Sequence, residues 1–300
     1  MKTIAIAGSS GFLGRNITDF YKNKNYKLIC LTSKKIITKK KNLRWIYLNQ
    51  NYELLKEKKL NFDTIIFSNG IGNVKQSLKF SENKKEEIIN NNLIKLVKKN
   101  INPCTVVYFS SYSVYGNTKI KCSEKSKCNP ISVYAKNKLK YEQKLKKNIN
   151  LKKNKLVIIR FSSIYGPFLK KQIIWDALTK INKKESATFF GTGDEERDFL
   201  HVSDAINAID LILKKNKKNF QIYNCGSGNP IKIKNLLKII VKKTIYNNKN
   251  KLYFSGILNK EDPKSLKINI KKLKNLGWKP VYKINNGINN YKKWFKKQSI

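Results

Sequence analysis

Histidine is almost missing: His201 is the only one in 300 residues. A histidine-rich metal site is excluded, and a Ser-His-Asp triad is argued against. The five cysteines (Cys30, Cys104, Cys122, Cys128, Cys225) are scattered, and even Cys122 and Cys128 fit no zinc-ligand spacing. Free thiols in a reducing compartment, and so a cytoplasmic protein, are the expectation. No apolar run approaches the ~18 residues that would cross a bilayer, so no membrane insertion is expected. Residues 3–7 are apolar, but they are too short for a signal-peptide core and run into glycines.

Negative charge is scarce too. There are 19 Asp and Glu against 64 Lys and Arg, a formal net charge of +45. Arginine is scarce among the cations: Arg15, Arg44, Arg160 and Arg197 are all there are. Specific base and phosphate recognition recruits the arginine fork. The lysine runs are short and recur along the whole chain instead of forming one basic tail. The charge is therefore read as solvated lysine on every face, with salt-sensitive binding to polyanions but no specific nucleic acid. Hydrophobic content of 40% and aromatic content of 11% argue for a globular chain. Its length suits one large domain, or two that share an interface.

What is present begins with a short apolar run, residues 3–7, which reads as a buried parallel strand. Gly8-Ser9-Ser10-Gly11-Phe12-Leu13-Gly14 follows at once, and then a helical pattern through Phe20. Strand, glycine turn and helix is the context that a dinucleotide-phosphate site requires. The first glycine allows the tight turn, the second lets backbone approach a pyrophosphate, and the third lets the helix pack on the strand. Gly8, Gly11, Phe12, Leu13 and Gly14 are the candidate cofactor loop. Residues 27–31 read as the second strand, which ends in Thr32-Ser33-Lys34-Lys35 with no carboxylate for an adenine ribose. Thr32 and Lys34 are candidate cofactor contacts; Lys34 and Lys35 either meet a 2′-phosphate or are two more solvated lysines. NAD and NADP both stay open.

Further strands are expected at residues 45–48, 64–67, 105–109, 155–161, 188–190 and 221–225. Phe67 ends one of them, at the edge where cofactor binds in such sheets. Helices are expected at 86–99, from Ser132 through Glu142, from Ser203 (as cap) through Leu213, at 231–245 and at the end of the chain. There is no internal repeat and no flexible linker. A soft boundary falls at Gly166-Pro167, giving 1–166 as a dinucleotide-binding part and 167–300 as a substrate part, with 197–225 partly returning to the first.

Tyr134 and Lys138, four apart, share a face of the expected helix. A phenol keeps its proton to about pH 10, and a neighbouring cation favours the phenolate. Fifteen tyrosines in so lysine-rich a chain give about three Tyr-x-x-x-Lys matches by chance, and three occur. Only Tyr134/Lys138 has helical context and a serine pair, Ser110-Ser111, at a strand end upstream.

The ordered set of motifs resembles an extended short-chain dehydrogenase/reductase of the nucleotide-sugar epimerase/dehydratase group. It comprises Gly8-x-x-Gly11-x-x-Gly14, Ser110-Ser111…Val114-Tyr115-Gly116, Tyr134-x-x-x-Lys138, Arg160…Tyr165-Gly166-Pro167, Arg197-Asp198-Phe199…Val202-x-Asp204, Asn224-x-Gly226-x-Gly228 and Leu276-Gly277-Trp278-x-Pro280. The resemblance implies an α/β fold, with a doubly wound parallel (Rossmann) sheet and a smaller C-terminal α/β substrate domain. It implies Tyr134 as acid/base, Lys138 as the residue that positions the nicotinamide ribose, and Ser111 on the reacting hydroxyl, with Ser110 and Ser113 as fallbacks. Asn91 matches a helix asparagine near the active site. Arg197 is implied on the substrate diphosphate, against an alternative ion pair with Asp194, Glu195 or Glu196. Ser163 stands where the family often has asparagine, as a further substrate contact. His201 is expected to be structural. A nucleotide-diphosphate sugar is the implied substrate and a homodimer the implied assembly. Family 4,6-dehydratases carry Asp-Glu after the catalytic hydroxyl residue; here Tyr112-Ser113 stand there, which argues for C4 epimerisation or for reduction of a 4-keto sugar.

Overall fold

The computed structural model describes residues 1–33, 42–49, 60–70, 77–183, 186–242, 252–258, 261 and 263–298. The chain forms two compact units of interleaved segments: 1–111, 133–160 and 210–223 in the first, and 112–132, 161–209 and 224–300 in the second.

The first unit is built on a seven-stranded parallel sheet. Its strands are β1 (Lys2–Ala7), β2 (Tyr26–Thr32), β3 (Leu43–Tyr47), β4 (Thr64–Phe67), β5 (Thr105–Ser111), β6 (Lys155–Phe161) and β11 (Phe220–Cys225). The order across the sheet is β11-β6-β5-β4-β1-β2-β3. β1 pairs in parallel with β2 on one side, Ile4 opposite Leu28, and with β4 on the other, Ile4 opposite Thr64. The near-continuous apolar spelling of these strands follows from burial on both faces: Ala5, Ile6, Ile65, Ile66, Val106 and Val107 have no exposure. Each fully buried aliphatic side chain contributes roughly 1.5–3 kcal/mol. Winding reverses between β1 and β4, so the loops that leave their C-terminal ends diverge there. That is the switch point where doubly wound sheets bind ligands.

Two helices on one face matter for chemistry. The helix Phe80–Lys99 buries Ile89, Leu93, Ile94 and Val97 against a core that includes Val106 and Tyr108 of β5. It begins six residues before the expected start at Glu86. Its first turn carries no core residue, since Phe80 is exposed, and so gives no periodic signal. The helix Val133–Asn148 buries Tyr141 and Leu145 on the same core. Strand β5 runs two residues past the expected end and takes in Ser110 and Ser111.

The second unit contains short strands in pairs. β7 (Ser163–Tyr165) is parallel to β10 (Phe199–His201), β9 (Glu196–Arg197) is antiparallel to β12 (Ile231–Lys232), and β8 (Ala187–Phe189) is parallel to β13 (Leu252–Phe254). The helix expected at 231–245 is Ile233–Lys242, because Ile231 and Lys232 pair with β9 first; residues 243–245 lie outside the described ones. Two of the sequence motifs meet here. Asp204 accepts the N–H groups of Val281 and Tyr282 at 3.0 and 2.9 Å, and its carbonyl accepts the Trp278 indole at 3.2 Å. Among the described residues, no helix is long and apolar enough to cross a membrane.

Candidate active site

The glycine turn is dictated by contacts. Gly8 has φ +78°, and a Cβ there would lie 2.9 Å from the Asn69 nitrogen. A Cβ on Gly14 would come within 2.1 Å of the Gly8 carbonyl oxygen. Both positions therefore admit only glycine. The turn is locked by Leu31, whose carbonyl accepts the Gly8 N–H at 3.0 Å, the Ser9 N–H at 3.2 Å and the Ser9 hydroxyl at 3.1 Å. Gly11 has ordinary extended backbone, φ −79° and ψ 176°, and caps the helix Phe12–Tyr21 without a side chain. No acidic residue sits in that helix's first turn. Its leading N–H groups, with Phe12 and Leu13 half-buried around them, suit an anionic ligand.

Thr32, at the end of β2, is fully buried and donates its hydroxyl to Ser10 Oγ at 2.9 Å, which ties the second strand to the turn. Lys34 and Lys35 lie outside the described residues. Phe67 is buried at the end of β4, and Ser68 after it donates its N–H and its hydroxyl to the Ala7 carbonyl at 3.0 and 2.6 Å. The side-chain oxygen and nitrogen of Asn69 are both shielded from solvent and have no partner. Buried amides are normally hydrogen-bonded, so two orphaned atoms beside a glycine cradle fit a polar ligand such as a dinucleotide.

On the helix Val133–Asn148, Tyr134 is half-buried and Lys138, one turn on, is 4% exposed. The Lys138 Nζ stands 5.7 Å from the Tyr134 ring centroid and 5.5 Å from that of Tyr108. It donates to Glu86 Oε1 at 3.1 Å, and Glu86 is itself 3% exposed. Burial works against the lysine charge; Tyr108, Glu86 and Tyr134 outweigh it and hold the ammonium above its ordinary range. The Tyr108 hydroxyl is buried without a partner, and burial pushes its pKa up. Glu86 and Tyr108 were missed from sequence. Glu86 and Glu87 are adjacent acids in a lysine-rich helix, and only packing shows that Glu86 turns inward while Glu87 meets Lys140 and Lys144 at the surface.

The serine pair divides. The Ser110 hydroxyl donates to Glu142 Oε1 at 2.5 Å, and Arg160 grips the same carboxylate with two bonds, 3.0 and 2.6 Å. Ser110 is thus engaged in a buried network with Glu142 and Arg160. Ser111 is 7% exposed at the C-terminal end of β5. Ser113 is buried in the 3-10 turn Tyr112–Tyr115 that follows. Asn91 lies on the helix Phe80–Lys99 with its side-chain oxygen buried and unpartnered.

In the second unit, Ser163 is half-buried with its hydroxyl 3.2 Å from that of Tyr112. Arg197 is 7% exposed and donates to the Glu196 and Lys264 carbonyls at 2.8 and 3.4 Å. Its acidic neighbours meet other groups: Asp194 pairs with Lys232 and Lys234, Glu196 pairs with Lys267, and Glu195 accepts the Thr192 and Gly193 N–H groups. Asp198 accepts the Ser227 and Gly228 N–H groups, both at 2.7 Å, so two more of the motifs close on each other. His201 ends β10, stacks 4.0 Å from the Tyr282 ring and accepts the Ser203 N–H on Nδ1 at 3.2 Å. The helix expected to have Ser203 as its cap is Val202–Lys215; it begins two residues earlier, with the His201 imidazole accepting the N–H of its second residue.

The model of the NAD dependent epimerase/dehydratase family matches residues 4–226. A putative UDP-glucose 4-epimerase of Methanocaldococcus jannaschii is 27% identical, with 98% of each chain covered. CDP-abequose synthase of Salmonella typhimurium is 25% identical, with 95% of each covered. The crystal structure of Bacillus cereus UDP-glucuronic acid 4-epimerase, with UDP-glucuronic acid and NAD, superimposes with a TM-score of 0.83 at 20% identity, covering 98% of this chain and 99% of that one. That likeness is one of fold.

Proposed function

The chain belongs to the NAD dependent epimerase/dehydratase family, and from that premise we propose that it epimerises a nucleotide sugar at C4 through a 4-keto intermediate. The observation that carries this reading is the buried Lys138 ammonium beside the half-buried Tyr134, on a helix packed against the strand that ends in Ser111. Bound NAD supplies a hydride acceptor and donor. The protein's own work is on the proton and the oxygen. Ser111 hydrogen-bonds the reacting hydroxyl, and Tyr134 takes its proton as the carbinol carbon is oxidised. Lys138 stabilises the resulting phenolate by its charge. Once the keto sugar has turned over, Tyr134 returns the proton as the hydride adds to the other face.

Gly8, Gly11, Phe12, Leu13 and Gly14 hold the dinucleotide phosphates, with Thr32 and Phe67 at its rim. Arg197 and Ser163 bind the nucleotide-sugar diphosphate and sugar, an arginine fork being suited to phosphate. Tyr112-Ser113 after Ser111 provide no carboxylate pair to eliminate water, which disfavours dehydration.

A second reading, reduction of a 4-keto nucleotide sugar by NADPH, is favoured by one observation: β2 ends in Thr32-Ser33, without a carboxylate. One experiment separates them. The dinucleotide released from purified protein is identified, and nicotinamide absorbance is followed with UDP-, dTDP- and GDP-sugars. Retained NAD and interconverted sugars with no net redox change support epimerisation. Stoichiometric NADPH oxidation by a 4-keto sugar overturns it.

A further inference from the structure

Glu86 and Lys138 form an ion pair in which both side chains are almost fully enclosed, 3% and 6% exposed. Its place is fixed by the loop after β4. A Cβ on Gly70 would lie 2.6 Å from Glu86 Oε1 and 3.1 Å from Lys138 Nζ, so loop and pair touch. The preceding residue, Asn69, is the one that lies against Gly8. Contacts therefore run without a break from the glycine turn through Asn69 and Gly70 to Glu86, Lys138 and Tyr134. This chain of contacts follows the C-terminal edge of β1 and β4, where the winding reverses.

A nicotinamide ring carries a positive charge when oxidised and none when reduced. Beside Lys138 alone, the oxidised form would put two cations together in a buried place, which is unfavourable at low dielectric. A buried carboxylate 3.1 Å from the lysine cancels one of them. The other titratable groups that face Lys138, namely Tyr108, Tyr134 and Tyr141, are phenols, and Glu142 behind them is matched by Arg160. Glu86 is thus the carboxylate that pairs with Lys138 itself.

We infer that Glu86 is a positioning and charge-setting residue: through Lys138 it makes the site prefer the oxidised over the reduced dinucleotide. The inference rests on the reading of this site as a nicotinamide site. It also fits epimerisation better than reduction, since an epimerase must begin its cycle with oxidised cofactor.

The test is binding, not turnover. Protein stripped of dinucleotide is titrated with NAD+ and with NADH, and the ratio of the two Kd values is compared between variants. Glu86→Gln is expected to weaken NAD+ binding about tenfold more than NADH binding. Glu87→Gln removes the same charge one residue on, at the surface, and is expected to leave the ratio unchanged. Should Glu86→Gln fail to fold, Glu86→Asp, whose shorter carboxylate draws back from Lys138, is expected to shift the ratio in the same direction by less. An unchanged ratio in both Glu86 variants, or an equal shift with Glu87→Gln, overturns the inference while the function stands. Wild-type protein that binds neither form overturns both.

Discussion

At Tyr134 the proposed chemistry turns on a single proton. Tyr134→Phe keeps the ring and removes the acid/base, so turnover is expected to fall by roughly 10²–10⁴ with dinucleotide affinity retained. Steady-state rates beside a binding titration check this, and full turnover sinks the assignment. The Glu142–Arg160 pair makes a second residue-scale prediction. Both side chains are 4% exposed, so Arg160→Met strands a buried carboxylate and is expected to cost about 3–5 kcal/mol in urea unfolding. The double replacement Glu142→Leu with Arg160→Met should recover much of that loss; an additive cost would show that the pair does not act as a unit.

His201 gives a pH dependence whose sign follows from its surroundings. Burial depresses its pKa, against smaller opposing effects of Asn290 and Asp204. The folded protein therefore keeps the imidazole neutral where the unfolded chain, with a pKa near 6.5, already binds a proton. Its contribution is full above about pH 6.5 and is lost as pH falls towards the depressed folded value. It is the only histidine, and most carboxylates titrate lower. Unfolding midpoints should therefore drop between pH 7.5 and 5.5 in the wild type and drop less in His201→Gln. Equal drops in the two proteins would refute this.

Among the elements, the turn between β1 and the helix Phe12–Tyr21 has the least tolerance. Gly14→Ala would place a methyl 2.1 Å from the Gly8 oxygen, so helix and turn must part. A loss of several kcal/mol, of the order of the larger strain effects, is expected together with loss of dinucleotide binding. Gly11→Ala, at ordinary φ and with its Cβ 3.2 Å from the Gly8 oxygen, should cost far less stability than Gly14→Ala and fail mainly in binding. Comparing the two by denaturation and by titration separates the packing role of a glycine from its ligand-approach role.

Over the whole molecule the charge of +45 predicts retention on a polyanion such as heparin, with release by moderate salt. Retention that persists at high salt would point to a built nucleic-acid site, which four arginines in 300 residues do not suggest. Lysines that pair do so with particular acids, as Lys232 and Lys234 do with Asp194, and each such exposed pair is worth little.

The sequence by itself determined the sheet, the glycine turn and the helix with Tyr134 and Lys138. Those depend on local periodicity and on residue types with one strong backbone or chemical preference. It also placed the motifs in order, but not what they touch. Only tertiary structure sent Ser110 into the Glu142–Arg160 network and turned Glu86 inward and its neighbour Glu87 outward. Each of those outcomes is a contact between residues far apart in the chain. Such contacts are set by how helices and strands pack, and a pattern of spacing along one segment carries no information about the partner on another.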